Sequence, residues 1–362
     1  MGVIINCKRS RLFLFLLWAI LALSCKDNTV AVQEPEPSNE YTPLRSVAPF
    51  PVGVALQSNR LSSGPHSQVV STVFNSVTAE YEMKMRHMTD PSGNYVWGPT
   101  DALVAFAKEY DMQVHGHTLV WHQSTPSWLE NFSGTDAEFE DAVKDYITSV
   151  VGRYKDDVIS WDVINEAFED GSGALRNSVF HRRMGPDYIA RLFQYARNAD
   201  PDVLLFYNDY GTIWDAAKRD AMFSMIDDLQ TRGTPIDGIG LQMHITYNTP
   251  SLNNIVAVMD AIVQRGLLIH ISEMDVRVNP QGNLSELTTE RSELQKQRVK
   301  DIVMAFMDLP EANQFAITWW GLRDPESWLI DFWGNPEWGL LFDAEYRPKP
   351  AYDGFLEALT GN

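Results

Sequence analysis

Cysteine is almost absent from this chain. Only Cys7 and Cys25 occur among its 362 residues, and both lie within the first 25 positions. The sequence after position 25 therefore contains no cysteine for a disulfide or for a cysteine-ligated metal site.

Positive charge is also scarce. The 29 Lys and Arg residues are outnumbered by 48 Asp and Glu, which gives a formal net charge of −19. Nucleic acid binding depends on Lys and Arg that neutralise phosphates. The composition therefore argues against nucleic acid as a partner.

Long hydrophobic runs are lacking too. The apolar run Leu12–Leu23 has 12 residues, too few to cross a bilayer comfortably, and it follows Lys8, Arg9 and Arg11, as in a secretory signal peptide. The next letters, "ALSC", resemble a bacterial lipoprotein cleavage box that ends at Cys25. We expect residues 1–24 to be a lipoprotein signal peptide; an ordinary signal peptide cut near the same place is the alternative.

Residues 25–49 contain Pro35, Pro37, Pro43 and Pro49 and little periodicity, so we predict a tether that follows a lipidated Cys25. The letters "CKDN" are similar to the signal that sends some Bacteroidetes-type lipoproteins to the outer face of the outer membrane. The expected location is thus the outer membrane, with contact to the lipid only through the anchor.

The Gly-rich phosphate loops GxGxxG and GxxxxGK[ST] are missing, which removes one argument for an open, doubly wound sheet. Instead, eight short apolar runs alternate with segments of helical spacing between residues 50 and 360. Strands that alternate with helices indicate βα units and a parallel sheet. Eight such units in about 300 residues favour a single (β/α)₈ barrel (a TIM barrel) as the catalytic domain, residues 50–360.

Most of these runs end in polar side chains, among them "INE", "YNDY", "QMH" and "SEMD". The carboxyl ends of barrel strands gather on one face, where active sites lie. Glu166 ends the fourth run and Glu273 the seventh, and hydrolysis of a glycosidic bond needs such a pair of carboxyl groups. Metal-assisted chemistry is the alternative, because His115, His117, His122 and His244 lie in the same motifs, although no HExxH spacing supports it.

Six motifs in combination resemble glycoside hydrolase family 10, the retaining endo-β-1,4-xylanases. They are "GHTLVWHQSTPSWL", "WDVINEAF", "LLFYNDYG", "GIGLQMH", "ISEMDV" and "WWGLRDPESW". The resemblance extends from about Phe50 to about Leu359. It implies xylan and xylo-oligosaccharides as substrates, with neither a cofactor nor a metal ion.

The resemblance also implies roles for individual residues. Glu166 matches the acid/base and Glu273 the nucleophile; Asn165, His244 and Asp275 match residues that support the reaction. Substrate-binding positions of the family correspond to Glu80, Tyr81, Lys84, His117, Trp121, Tyr210, Gln242, Trp320 and Trp328.

The chain departs from the family pattern at Tyr81, where an Asn that binds the second sugar is usual, at Ser124, where Gln is common, and at Gly211, where Asn is frequent. These departures affect the expected subsites and not the chemistry. A β-1,4-glucanase, an enzyme that prefers short xylo-oligosaccharides, and a non-catalytic glycan-binding lipoprotein remain as alternatives.

Overall fold

The computed structural model describes residues 41–62 and 64–361. The signal peptide, Cys25 and the first part of the tether lie outside these residues. Within the described part, ten strands form: β1 (Val52–Leu56), β2 (Ser76–Ala79), β3 (Gln113–Gly116), β4 (Val120–Trp121), β5 (Val158–Asn165), β6 (Leu204–Asp209), β7 (Gly238–Leu241), β8 (His244–Thr246), β9 (Leu268–Arg277) and β10 (Gln314–Trp319).

The strands close into a parallel barrel. Their order is β10-β1-β2-β3-β5-β6-β7-β9, and β9 also pairs with β10, which completes the ring of eight. The short strands β4 and β8 continue β3 and β7 beyond a break, and pair with β5 and β9 respectively. The predicted (β/α)₈ barrel is confirmed.

Helices connect successive strands on the outside of the barrel. Those in the described residues are α1 (Gly64–Val73), α2 (Met85–Met88), α3 (Gly98–Glu109), α4 (Ser127–Glu130), α5 (Asp136–Arg153), α6 (Val179–Met184), α7 (Tyr188–Ala199), α8 (Ala216–Thr231), α9 (Leu252–Val263), α10 (Thr289–Met307), α11 (Trp328–Trp333) and α12 (Pro350–Thr360). Across residues 41–62 and 64–361, no helix is both long and apolar enough to cross a membrane.

Helix α5 illustrates how local sequence specifies these elements. Thr135 caps its amino end and forms a capping box with Glu138, which satisfies backbone N–H groups that have no partner within the helix. Its apolar residues recur at helical spacing and are buried, as Phe139, Val143 and Ile147 show.

The interior of the barrel is filled by side chains from strands on all sides. The rings of His115, Phe206, His270 and Phe315 contact one another. They come from β3, β6, β9 and β10, so their side chains can meet only inside the barrel. This packing closes the lower part of the barrel and leaves its mouth as the accessible end.

Residues 41–49, which the sequence analysis assigns to the tether, pack against the barrel. The Tyr41 ring contacts the rings of Phe342 and Tyr352, and Leu44 is fully buried. The Tyr352 hydroxyl donates a hydrogen bond of 2.8 Å to the Thr42 carbonyl. Within the described residues, Tyr41 and Thr42 thus contact α12, and the domain boundary at residue 50 stays a prediction.

Candidate active site

Glu166 and Glu273 both lie at the barrel mouth. Glu166 directly follows the last residue of β5, and Glu273 lies within β9. Both carboxylates are buried, with 6% and 5% of their surface exposed. Glu166 has a φ of +56°, a conformation that is uncommon for a residue with a side chain and that often occurs at functional sites.

The Glu273 carboxylate lies among cationic and hydrogen-bonding groups. Its Oε1 accepts a hydrogen bond of 2.7 Å from Asn208 Nδ2, and His244 Nε2 lies 3.3 Å from its Oε2. Burial alone would raise the pKa of Glu273, but His117, His244 and Lys84 together lower it below its usual value. The carboxylate is therefore held in its ionised form.

His244 is the charged partner of Glu273. Its Nδ1 lies 2.8 Å from Asp275 Oδ2, so that the imidazole stands between two carboxylates. Burial opposes the charged form, but Asp275 and Glu273 outweigh it and raise the pKa of His244 to about 10. His244 is thus an imidazolium that donates from both nitrogens.

The Glu166 carboxylate has only neutral hydrogen-bond donors. Trp121 Nε1 donates to its Oε2 at 2.8 Å, and Gln242 Nε2 donates to its Oε1 at 3.0 Å. Asn165 Nδ2 is a longer third donor at 3.3 Å.

Asn208 joins Glu273 to Asn165 and was not among the residues singled out from the sequence. Its Nδ2 donates both to Asn165 Oδ1, at 2.9 Å, and to Glu273, while its Oδ1 accepts from Ser272 Oγ at 2.6 Å. Asn208 lies in the polar end of the motif "LLFYNDYG", two residues before Tyr210, which the sequence analysis did select.

Asp162 also escaped the sequence analysis, because it lies in the middle of a buried strand. Its Oδ2 accepts a hydrogen bond of 2.8 Å from His117 Nδ1 and lies 3.1 Å from His115 Nε2. Burial would raise the pKa of Asp162, but the two histidines lower it instead. This carboxylate fixes the orientation of the His117 ring beneath Glu273.

One side of the mouth forms a pocket walled by aromatic rings. Lys84 is buried there, and its Nζ lies 4.8 Å from the Trp121 ring centroid and 5.6 Å from that of Trp320. Glu80 also lines the pocket and accepts a hydrogen bond of 2.9 Å from Gln57 Nε2. This pocket contains the predicted residues Glu80, Tyr81, Lys84, Trp121, Trp320 and Trp328.

Trp328 of this pocket and a further predicted residue, Tyr210, lie around the same mouth. Trp328 Nε1 donates to Asp275 Oδ2 at 2.9 Å, which places this ring against His244. Tyr210 lies on the other side of Glu166, where it lines a second pocket with Asp170 and Trp214.

The structure thus brings together all the predicted site residues that it describes; Cys25 lies outside them. Among residues 41–62 and 64–361, no group of three or more His, Cys, Asp or Glu side chains is arranged to hold a metal ion.

A parallel barrel whose mouth carries two buried carboxyl groups among aromatic and amide side chains has the architecture of a large class of glycoside hydrolases. This chain belongs to glycosyl hydrolase family 10, whose family model matches residues 45–358. The resemblance inferred from the six motifs is confirmed.

Relatives with similar sequences carry xylanase names. The chain is 39% identical to endo-β-1,4-xylanase Xyn10C of Cellvibrio japonicus. The match has an aligned length of 370 residues and covers 94% of this chain and 61% of that protein. It is 35% identical to endo-1,4-β-xylanase B of Paenibacillus barcinonensis over 314 residues, which cover 84% of this chain and 93% of that protein. The chain thus spans about three fifths of the length of the Cellvibrio relative.

Solved structures show the same similarity. A mutant of xylanase 10C from Cellvibrio japonicus in complex with xylopentaose has a TM-score of 0.86 and 38% identity, over 90% of this chain and 70% of that one. Native xylanase 10B from Thermotoga maritima has a TM-score of 0.83 and 36% identity, over 88% of this chain and 98% of that one.

Proposed function

We propose that this protein is an endo-1,4-β-xylanase that cleaves internal bonds of xylan with retention of configuration. The observation that carries the proposal is the contrast between the buried carboxyl groups, one beside the imidazolium of His244 and one among neutral donors. The names of its relatives, and the xylopentaose bound in one similar structure, support xylan as the substrate class.

In the proposed first step, a Glu273 carboxylate oxygen attacks the anomeric carbon and forms a glycosyl ester. The bond to the leaving oxygen breaks as Glu166 donates its proton to that oxygen. In the second step the Glu166 carboxylate removes a proton from water, whose oxygen attacks the same carbon and releases Glu273. Two inversions at one carbon give net retention.

Neighbouring residues are assigned supporting roles. Asn165 is proposed to bind the 2-hydroxyl of the attacked sugar, a contact that tightens toward the transition state. Asp275 orients His244, which keeps Glu273 ionised. Gln242 is assigned to the cleft through its hydrogen bond to Glu166.

The pocket that contains Lys84 is proposed to hold the sugars on the non-reducing side of the cut. Glu80 accepts hydrogen bonds from the second sugar, while Lys84 and His117 bind the sugars beside the cut. Lys84 is packed between rings and Trp328 lines the same pocket, and these side chains are proposed to exclude the hydroxymethyl group of glucose. Exclusion of that group is worth about 1–3 kcal/mol in favour of xylose.

The test is an NMR spectrum of the first product released from xylan, compared with the products released from cellulose and from short xylo-oligomers. We expect the β-anomer before mutarotation and higher activity on xylan than on either alternative substrate. An initial α-anomer would contradict the retaining mechanism, and preference for cellulose would favour a β-1,4-glucanase. Binding of xylan without release of reducing ends would favour a non-catalytic protein.

We further propose that the protein is exported and held at the outer membrane by lipid on Cys25. The basic residues before Leu12–Leu23 and the letters "ALSC" support this proposal. A lipidated amino terminus with several acyl chains anchors stably. The full-length chain is expected in the membrane fraction of expressing bacteria, and Cys25→Ser is expected to release it or leave it unprocessed. A soluble periplasmic protein that begins at another residue would contradict the anchor.

A further inference from the structure

A second pocket opens on the side of Glu166 away from Lys84. It is lined by Asp170 in the loop after β5, and by Tyr210 and Trp214 in the loop after β6. The Lys84 pocket is formed instead by the segments after β2 and β3, and by residues after β10. Glu166 directly follows β5, between the two pockets. A sugar chain that fills the Lys84 pocket and passes Glu166 therefore continues over the second pocket.

Lys218 lies directly beneath this second pocket. It belongs to the first turn of α8 and is fully buried, with 0% of its surface exposed. Its Nζ lies 2.8 Å from Asp209 Oδ1, 3.0 Å from Asp170 Oδ1 and 3.5 Å from the Tyr210 ring centroid. A buried ammonium is costly unless it is paired. Here it is paired with two carboxylates and an aromatic face.

The partners of Lys218 connect the pocket to Glu166. The Tyr210 hydroxyl donates to Asp170 Oδ2 at 2.6 Å and accepts from Arg176 Nη2 at 3.0 Å. Arg176 Nε also donates to the Glu166 backbone carbonyl at 2.9 Å. One network thus joins the ring, the loop after β5 and the backbone of Glu166.

The loop after β5 is also attached to α8 through its backbone. The N–H of Gly171 donates to Asp215 Oδ2 at 2.6 Å. Gly173 has a φ of +65°, and a Cβ added there would lie 2.4 Å from the Ala217 carbonyl oxygen. The contact is close enough to require glycine, so the loop has one tightly defined position against the helix that carries Lys218.

We propose that Lys218 is a positioning residue for the leaving-group half of the cleft. It holds the Tyr210 ring from below and the Asp170 loop from the side, so that the second pocket is preformed for xylosyl residues on the reducing side of the cut. This inference rests on the proposed xylanase function and adds which residues organise the leaving-group sugars.

Two substrates separate this role from a general structural one. Xylopentaose places sugars in the leaving-group pocket, whereas an aryl xylobioside has a phenolic leaving group and places none there. In Asp170→Asn, Lys218 keeps its pair with Asp209, and the side chain of Asp170 is 58% exposed, so that the fold is expected to tolerate the change. We expect kcat/KM on xylopentaose to fall roughly two- to tenfold and that on the aryl xylobioside to change less than about twofold.

Lys218→Met is the stronger variant, with the same substrate dependence expected. Lys218→Met leaves Asp209 buried without its cation, so the folding of this variant is checked by circular dichroism. If Lys218→Met does not fold, the result for Asp170→Asn decides the question. The control is Asp227→Asn at the other end of α8, which removes an ion pair of 2.7 Å with Arg265. We expect kcat/KM of Asp227→Asn to equal that of the unsubstituted protein on both substrates.

Equal losses on both substrates, or no loss on xylopentaose in Asp170→Asn, would overturn the positioning role and leave the xylanase function intact. If the unsubstituted protein hydrolysed neither substrate, the proposed function would fail and the inference with it.

Discussion

The surroundings of Glu273 and Glu166 differ in charge, although both carboxylates are equally buried at one barrel mouth. Glu273 accepts from the imidazolium of His244 and lies near Lys84, whereas the donors to Glu166 are uncharged: Trp121, Gln242 and Asn165. A nearby cation favours the ionised form of a carboxylate, in agreement with the lowered pKa of Glu273. The proposed roles, Glu273 as the nucleophile and Glu166 as the acid and base, are consistent with this difference.

The largest effect is expected when Glu273 is replaced. Glu273→Ala should abolish hydrolysis of xylan, because no glycosyl ester can form. Azide should partly restore turnover of an activated aryl xylobioside and give the inverted glycosyl azide, which NMR identifies. Rescue with retained configuration would instead require the roles of Glu273 and Glu166 to be exchanged.

Replacement of Glu166, the proposed acid and base, should have a smaller effect that depends on the substrate. Glu166→Ala should lower kcat/KM on xylan roughly 10²- to 10⁴-fold, the usual contribution of a general acid. On an aryl xylobioside with an acidic phenol, which leaves without protonation, kcat/KM should fall much less. Steady-state rates on the two substrates check this, and equal losses on both would contradict the role of Glu166 as the acid.

His244, the cation beside Glu273, can be replaced while the Glu273 carboxylate stays. His244→Asn should lower kcat/KM on the order of 10- to 100-fold, because a charge-assisted hydrogen bond to Glu273 is lost. His244 is one of the groups that lower the pKa of Glu273. Its loss should raise that pKa, so that activity at acidic pH declines first and the acidic limb of the kcat/KM profile moves to higher pH.

A pH profile of His244→Asn beside that of the unsubstituted protein measures this movement. An unchanged acidic limb would mean that Lys84 and His117 alone keep Glu273 ionised. Gln242→Ala, which removes a neutral donor from Glu166 at 3.0 Å, is the matched control, and its acidic limb should remain in place.

The barrel and the position of Glu166 and Glu273 at its mouth could be predicted from the sequence, since each depends on local patterns. Alternation of apolar runs with helical segments specifies the units, and the polar ends of the runs specify the mouth. The residues that were missed act across strands. Asn208 contacts Asn165 and Glu273 from a neighbouring strand, and no spacing along the chain reveals such a contact.

Lys218 shows a second limit of sequence reasoning. At the start of an amphipathic helix a lysine reads as an exposed side chain, because charged residues are rarely buried without partners. Its partners Asp170 and Asp209 come from two different strand ends, 48 and nine positions earlier in the chain. The pairing of β5 with β6 brings them together. Tyr41 and Thr42, which precede the expected boundary at residue 50, likewise contact Tyr352 near the far end of the chain.

Glu80 extends the comparison to a third carboxylate of the cleft. Like Glu166, it accepts from a neutral donor, Gln57. Burial raises its pKa, while the hydrogen bonds from Gln57 and Tyr81 and the charge of Lys84 oppose that rise. Its neighbour Tyr81 stands where the family usually has Asn, and 41% of its surface is exposed. Substitution of Tyr81 therefore tests how much this neutral side chain, next to the Glu80 carboxylate, contributes to sugar binding.

The smallest effect is expected from Tyr81→Asn. An amide offers a donor and an acceptor to the second sugar, whereas tyrosine offers one hydroxyl on a flat ring. A hydrogen bond to a neutral group is worth about 0.5–1.5 kcal/mol, and stacking on the ring offsets part of that difference. We expect Tyr81→Asn to raise kcat/KM severalfold on an aryl xylobioside, which depends on this subsite, and much less on polymeric xylan, which other subsites also hold. An unchanged rate on the xylobioside, or equal losses on both substrates, would show that Tyr81 does not define the second subsite.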